Sequence, residues 1–136
     1  MKKVLSLVCL LALVATCLFA FASCGAPNED PAEAKKALED NGYTVEMTEH
    51  EGVTYLTAIS ETDIISIKYY ATEEAAEAAY KKAEEEMKKY EEASDADKAT
   101  MDGYIGIEGV TYADLEYGMS GKMVWSGTSQ AVSDAK

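Results

Sequence analysis

The chain has 136 residues, enough for one domain and a targeting segment, and its formal net charge is −13. All 12 basic residues are lysines, and they are set against 25 aspartates and glutamates. Nucleic acid is therefore excluded as an expected partner, because such binding depends on an excess of cationic side chains that neutralise phosphates. The same acidity gives the domain no electrostatic attraction to an anionic membrane surface.

The N-terminal segment differs sharply from the rest of the chain. Lys2 and Lys3 precede an uncharged, mostly apolar run over residues 4–22, which is the pattern of a signal peptide. Three outcomes stay open for it. The chain is cut at Cys24, or it is cut after Ala22 as in an A-x-A site and becomes a secreted soluble protein. Alternatively it stays uncut, since the run is close to the length of about 20 residues that spans a bilayer.

The stretch Phe21-Ala22-Ser23-Cys24-Gly25 resembles the lipobox of bacterial lipoproteins, although leucine is the usual residue where Phe21 stands. The resemblance implies that residues 1–23 are removed and that Cys24 carries a covalent diacylglycerol. It also implies an extracytoplasmic protein held on the cell membrane by that lipid, with no other cofactor. The other two cysteines, Cys9 and Cys17, leave with the signal peptide. The remaining chain therefore has no intramolecular disulfide, and its core alone must stabilise it.

After this segment the sequence predicts a short tether over residues 24–29 and a single domain over 30–136. Asp30-Pro31 opens a helix, because aspartate is a good N-cap and proline suits the first helical position. Asn41-Gly42 ends that helix. Three strands joined by short turns follow, with alternating residues over 43–48, 53–60 and 64–70, and they predict an antiparallel meander.

The strongest helical signal covers residues 72–93. Apolar residues recur there at steps of four and three, from Ala76 to Tyr90. A polar loop is predicted over 94–103, strands over 104–110, 111–117 and 122–126, and a short helix through Val132. The order α-β-β-β-α-β-β predicts an α+β fold. We expect a two-layer sandwich in which an antiparallel sheet of four or five strands has two helices packed on one face.

Few residues suggest catalysis or metal binding. His50 is the only histidine and falls in a predicted turn, where a solvated side chain is the usual outcome. Asp95, Asp97 and Asp102 form a weak candidate for a calcium site. They do not complete an EF-hand loop, because Thr100 stands where glycine is required and Gly106 where the bidentate glutamate should be. Neither a metal nor a set of catalytic residues is therefore expected.

Aromatic residues offer a second route to function. Tyr69 and Tyr70 are neighbours in a strand, so they point to opposite faces of the sheet and one of them is expected to be exposed. Trp125 lies in the last strand, where it belongs either to the core or to the open face. Exposed aromatics on a sheet suit a glycan or a protein of the cell envelope, so Tyr70 and Trp125 are the candidate surface-binding aromatics.

The stretches LFAFASCG, ALEDNGYTV and KMVWSGTSQAV make the chain resemble small lipoproteins of Gram-positive bacteria that have no assigned function. The resemblance implies membrane anchoring and an α+β domain, and it implies no activity. The residues favour a non-enzymatic binding or interaction module. The alternative is a small carboxylate- or cation-dependent hydrolase of the cell envelope, which requires at least two acids that converge in a cleft. The sequence leaves the oligomeric state open.

Overall fold

The structure is a computed structural model that describes residues 25–136, and its centre is one antiparallel sheet of five strands. The strands are β1 (Thr44–His50), β2 (Val53–Ile59), β3 (Ile64–Tyr69), β4 (Leu115–Ser120) and β5 (Met123–Thr128), in the spatial order β1-β2-β3-β5-β4. The helices are α1 (Pro31–Asp40), α2 (Glu73–Glu92), α3 (Asp95–Gly103) and α4 (Ser129–Asp134). The expected α+β class and antiparallel sheet are confirmed.

The start of α1 follows the local signals in the sequence. The Asp30 carboxylate accepts a hydrogen bond from the Ala32 amide at 2.8 Å, and Pro31 occupies the first helical position. The helix ends at Asn41, whose amide donates to the Ala37 carbonyl, and Gly42 then takes a φ of 88°. Glycine adopts this left-handed conformation without steric cost, so the chain turns there into β1.

Two tight turns set the register of the sheet. Glu51 and Gly52 both have positive φ, 51° and 78°, as a type I′ turn between β1 and β2 requires. The β4–β5 turn consists of Gly121 and Lys122, with a φ of 54° at the glycine. The β2–β3 connection is longer, and there the Ser60 hydroxyl accepts hydrogen bonds from the amides of Thr62 and Asp63.

The strand register divides the sheet into two faces. On one face, which we call the core face, Leu56 lies opposite Ile67 and Ile67 opposite Trp125. All three are buried, together with residues of α1 and α4. On the opposite face, which we call the groove face, Tyr55, Lys68 and Val124 form the matching row.

The two long helices lie on opposite faces of the sheet, which differs from the expected placement of both on one face. Helix α1 packs on the core face, whereas α2 contacts β4 and β5 from the groove face. The reason lies in β5, where Met123, Val124 and Trp125 are buried in succession. Successive strand residues point to opposite faces, so burying all three requires cover on both.

The segment after α2 also departs from the sequence prediction. Residues 95–103 form α3 instead of a polar loop, because the Ser94 hydroxyl caps the helix by accepting from the Asp97 amide at 3.2 Å. Residues 104–110 form no strand. Gly106 and Gly109 take φ values of 74° and 82°, which are incompatible with extended backbone. A 3₁₀ turn over Tyr112–Asp114 then leads into β4.

Residues 25–29, expected as a tether, pack against the domain. Pro27 is buried, and the Asn28 amide donates to the Ala135 carbonyl at 2.8 Å. The Asn28 carbonyl accepts from the Tyr69 hydroxyl at 2.9 Å, and Glu29 accepts from the Ser120 hydroxyl at 3.1 Å. These contacts fix the chain to the core face from its first described residues onward. Residues 1–24, and with them Cys24, lie outside the described part.

We predict that Gly118→Ala destabilises the fold. Gly118 lies opposite Trp125, and a Cβ atom there would lie 2.8 Å from Cη2 of the indole and still closer to Cζ2. Overpacking of this kind costs about 1–3 kcal/mol of unfolding free energy, measured by urea denaturation of the full chain. Gly103→Ala is the matched control, because a Cβ atom there meets nothing within 4 Å. Equal stability of the two variants would contradict the packing described here.

Candidate binding groove

A cavity of about 780 Å³ lies on the groove face of the sheet, between β3, β4, β5 and helix α2. We call it the groove. The sheet side is formed by residues of three strands, and α2 forms the opposite wall. The segment from Tyr104 to Tyr112 closes one end. The lining residues with an aromatic, hydroxyl or charged group are Ser66, Lys68, Tyr70, Lys82, Glu86, Tyr104, Tyr112, Tyr117, Trp125 and Ser126.

The groove exists because the helix that covers this face carries small side chains. Ala75, Ala78, Ala79 and Ala83 recur at helical spacing along the groove wall of α2. Only Ala76 and Tyr90 of this helix are buried. The alanine side chain is too small to fill the space between a helix and a sheet, so an open channel remains beside β3. Near β4 the space is filled, because Tyr80 of α2 packs against Tyr117 with ring centroids 5.8 Å apart.

Asp102 holds the segment that closes the groove. Its carboxylate accepts from the Tyr112 amide at 2.8 Å and from the Tyr90 hydroxyl at 3.2 Å. The Tyr90 and Tyr112 rings stack at 5.4 Å, and the Lys98 ammonium lies 5.6 Å from the Tyr90 ring centroid. Burial, followed by the Asp102 carboxylate, raises the pKa of Tyr90 above its ordinary value. The tyrosine therefore stays a neutral hydrogen-bond donor to Asp102.

The three acids of the calcium candidate have separate roles. Asp95 and Asp97 lie in the first turn of α3, and the Asp97 carboxylate accepts from the Ser94 hydroxyl at 2.7 Å. Asp102 lies seven residues beyond Asp95, about 10 Å along the helix axis, and both its oxygens serve the Tyr90–Tyr112 contact. Within residues 25–136 no group of three or more potential metal-ligating side chains converges.

The two candidate aromatics both line the groove but differ in exposure. Tyr70 lines the groove and is half-buried; burial, with a smaller contribution from Tyr55, raises its pKa. Trp125 is 6% exposed, and its indole belongs to the core face, where it covers Gly118. Trp125 nevertheless also lines the groove. Its role as a surface-binding aromatic stays a prediction.

The groove has the lining of a binding site for an organic molecule. Tyrosine rings and aliphatic side chains form most of its surface, two serines and the tyrosine hydroxyls supply hydrogen bonds, and Lys68, Lys82 and Glu86 supply charge. Glu86 is the one carboxylate among the lining residues. The pair of converging acids that a hydrolase needs is not brought together here. His50 lies at the end of β1 with its side chain 75% exposed, beside Glu51.

Some groove residues could be anticipated and others could not. The strand alternation already groups Ser66, Lys68 and Tyr70 on one face. Lys82 and Tyr104 were missed. The signal for Lys82 is its position between Ala78, Ala79 and Ala83 on a stripe of small residues. Tyr104 is 81% exposed at the mouth of the groove, and nothing in its local sequence indicates that exposure.

No family model, curated protein or solved structure matches this chain. Among residues 25–136, no helix combines the length and the apolar character that crossing a membrane requires.

We predict that Asp102→Ala loosens the closing segment. The change leaves the Tyr112 amide and the Tyr90 hydroxyl without their acceptor, at a cost of about 1–3 kcal/mol. Hydrogen exchange at the Tyr112 amide should accelerate, while exchange in β2 and β3 stays slow. Asp95→Ala is the control, because it removes an acid of the same helix that faces solvent. Unchanged exchange at Tyr112 in the Asp102 variant would show that other contacts hold the segment.

Proposed function

We propose that the chain is an extracytoplasmic lipoprotein, anchored to the cell membrane through a lipid on Cys24, whose domain is a non-enzymatic binding module. The groove is its proposed binding site. Sequence supports the first part through the charged start, the apolar run and the lipobox-like stretch before Gly25. The open groove supports the second part.

The docking of residues 25–29 supports anchoring close to the domain. A lipid on Cys24 would be separated from the first packed residues by Gly25 alone, because Ala26 contacts the core and Pro27 is buried. The domain would then sit near the bilayer, with little freedom to reorient. Stable anchoring requires two acyl chains, and a diacylglycerol provides them.

The groove carries the binding proposal. Its volume of about 780 Å³ falls within the range of roughly 300–1,000 Å³ that is typical of small-molecule sites. Such sites combine a largely apolar lining with a few polar groups that orient the ligand. Here Ser66 and Ser126 lie on adjacent strands at the floor, directly opposite each other in the register, and tyrosines surround them.

Replacement of Cys24 by alanine tests the anchor. The wild-type chain is expected in the membrane fraction, with an intact mass that reports loss of residues 1–23 and gain of the lipid. The Cys24→Ala chain should lack the acyl mass and leave the membrane fraction. Cys17→Ala is the control and should behave as the wild type. Acyl-free wild-type protein, equally soluble with or without Cys24, would overturn the lipoprotein proposal.

Filling the groove tests the binding site. Ala78→Trp places an indole at the exposed helix wall of the groove, whereas Glu85→Trp places one on the same helix at a residue that does not line it. Membrane-anchored protein is incubated with a small-molecule extract of the cell envelope, washed and analysed by mass spectrometry. A compound retained by wild type and Glu85→Trp should be lost from Ala78→Trp. Retention by all three, or by none, would contradict the groove as the site.

A further inference from the structure

We infer that the groove takes a small organic acid, with an apolar body against the tyrosines and an anionic head between Lys68 and Lys82. This inference rests on the proposed function and gives its ligand a chemical class. The key observation is that the groove collects two cationic side chains and one carboxylate in a chain whose net charge is −13.

Neither of the two groove lysines is held by an ion pair. Four helical lysines pair with a carboxylate four residues away on the same helix: Lys35, Lys36, Lys81 and Lys88. Lys68 and Lys82 have no carboxylate within 4 Å in the described part of the chain, a state they share with Lys89, Lys98, Lys122 and Lys136. Among the described lysines, Lys68 and Lys82 are the two that line the groove. Lys82 comes one turn before Glu86 in the less favourable order for an ion pair, and Lys68 lies 5.9 Å from the Tyr55 ring centroid.

The lysines reach the groove from different walls. Lys68 projects from β3 in the row that also contains Val124, and Lys82 projects from α2 between the alanines. An anionic group in the groove can therefore contact a cation on each side, while its body stays against apolar side chains. Phosphate alone would leave that apolar lining unused. An acid with a hydrophobic body uses both parts of the surface.

The acidic surroundings do not oppose this assignment at short range. At physiological salt, charges on the exposed surface are screened beyond about 8 Å. The charged side chains that line the groove, and that a ligand inside it meets directly, are Lys68, Lys82 and Glu86. Tyr104, at the mouth, adds an aromatic ring that is 81% exposed and available to cover the apolar body. The groove volume of about 780 Å³ suits a small molecule and is too small for a folded partner.

A matched pair of probes tests the inference: naphthalene-1-acetate and its neutral amide. Each is titrated by calorimetry into the full chain in nanodiscs of zwitterionic lipid, with empty nanodiscs as the blank. The acid should bind more tightly than the amide. Lys68→Gln and Lys82→Gln should each weaken acid binding about fivefold, which corresponds to ~1 kcal/mol. Glu86→Gln should strengthen it, because it removes the one opposing charge.

Lys89→Gln is the control, since Lys89 is exposed two turns further along α2 and does not line the groove. It should leave both affinities unchanged, and none of the lysine and glutamate variants should alter binding of the amide. Equal binding of acid and amide, abolished by Ala78→Trp, would overturn the organic-acid inference while supporting the groove as a site for neutral ligands. Binding of neither probe, or binding unaffected by Ala78→Trp, would overturn the inference. The retention experiment under "Proposed function", which compares wild type with Ala78→Trp, would then decide separately whether the groove binds any ligand.

Discussion

Burial of β5 on both faces is the constraint from which the rest of the structure follows. Met123 and Trp125 face one side of the sheet and Val124 the other, and all three are buried. A strand with apolar side chains on both faces is stable in water only when each face is covered. The chain meets this requirement with two separate layers. Helices α1 and α4 cover the core face, and α2 crosses the other over β4 and β5.

The two layers are packed to very different degrees. The core face has large interlocking side chains, and there Trp125 fits against Gly118, where an added Cβ atom would clash with the indole. The groove face receives a helix wall made largely of alanine, and one end is closed by a segment that depends on a single carboxylate, Asp102. Tight packing on one side supplies the stability. The incomplete packing on the other side leaves room for a ligand without weakening the core.

Local signals in the sequence predict most of the elements. Asp30-Pro31 starts a helix, the alternation around Ile65 and Ile67 defines a strand, and the stripe from Ala76 to Tyr90 defines α2; the structure contains all three. The errors come from information that is not local. Ser94 and Asp97 form a helix cap. Because the residues after Ser94 are mostly polar, their composition predicts a loop there instead of a helix. The face on which a helix packs depends on burial of β5, and that is decided by strands distant in sequence.

The candidate site was harder to predict than the fold for the same reason. Tyr70 could be proposed as a surface aromatic because strand alternation separates it from Tyr69. For Trp125, alternation leaves two faces to choose from, and only the pairing with Gly118 on the neighbouring strand commits the indole to the core. The groove requires β3, β5 and α2 to be placed together. Its helix wall depends on small side chains at certain positions of α2. A pattern of small residues is a weaker sequence signal than a pattern of large apolar ones.

The contact between the N-terminal segment and β3 links the proposed anchor to the proposed site. The Tyr69 hydroxyl holds the Asn28 carbonyl on the core face, and the next residue, Tyr70, lines the groove on the opposite face. An anchor at Cys24 would therefore hold the Tyr70 end of the sheet nearest the bilayer. The groove runs from that end towards Tyr112, beside a helix that starts at Glu73. A ligand released at the membrane surface would meet the tyrosine-lined end first. The exposed lysines of the groove, Lys68 and Lys82, would then select those ligands that carry an acid.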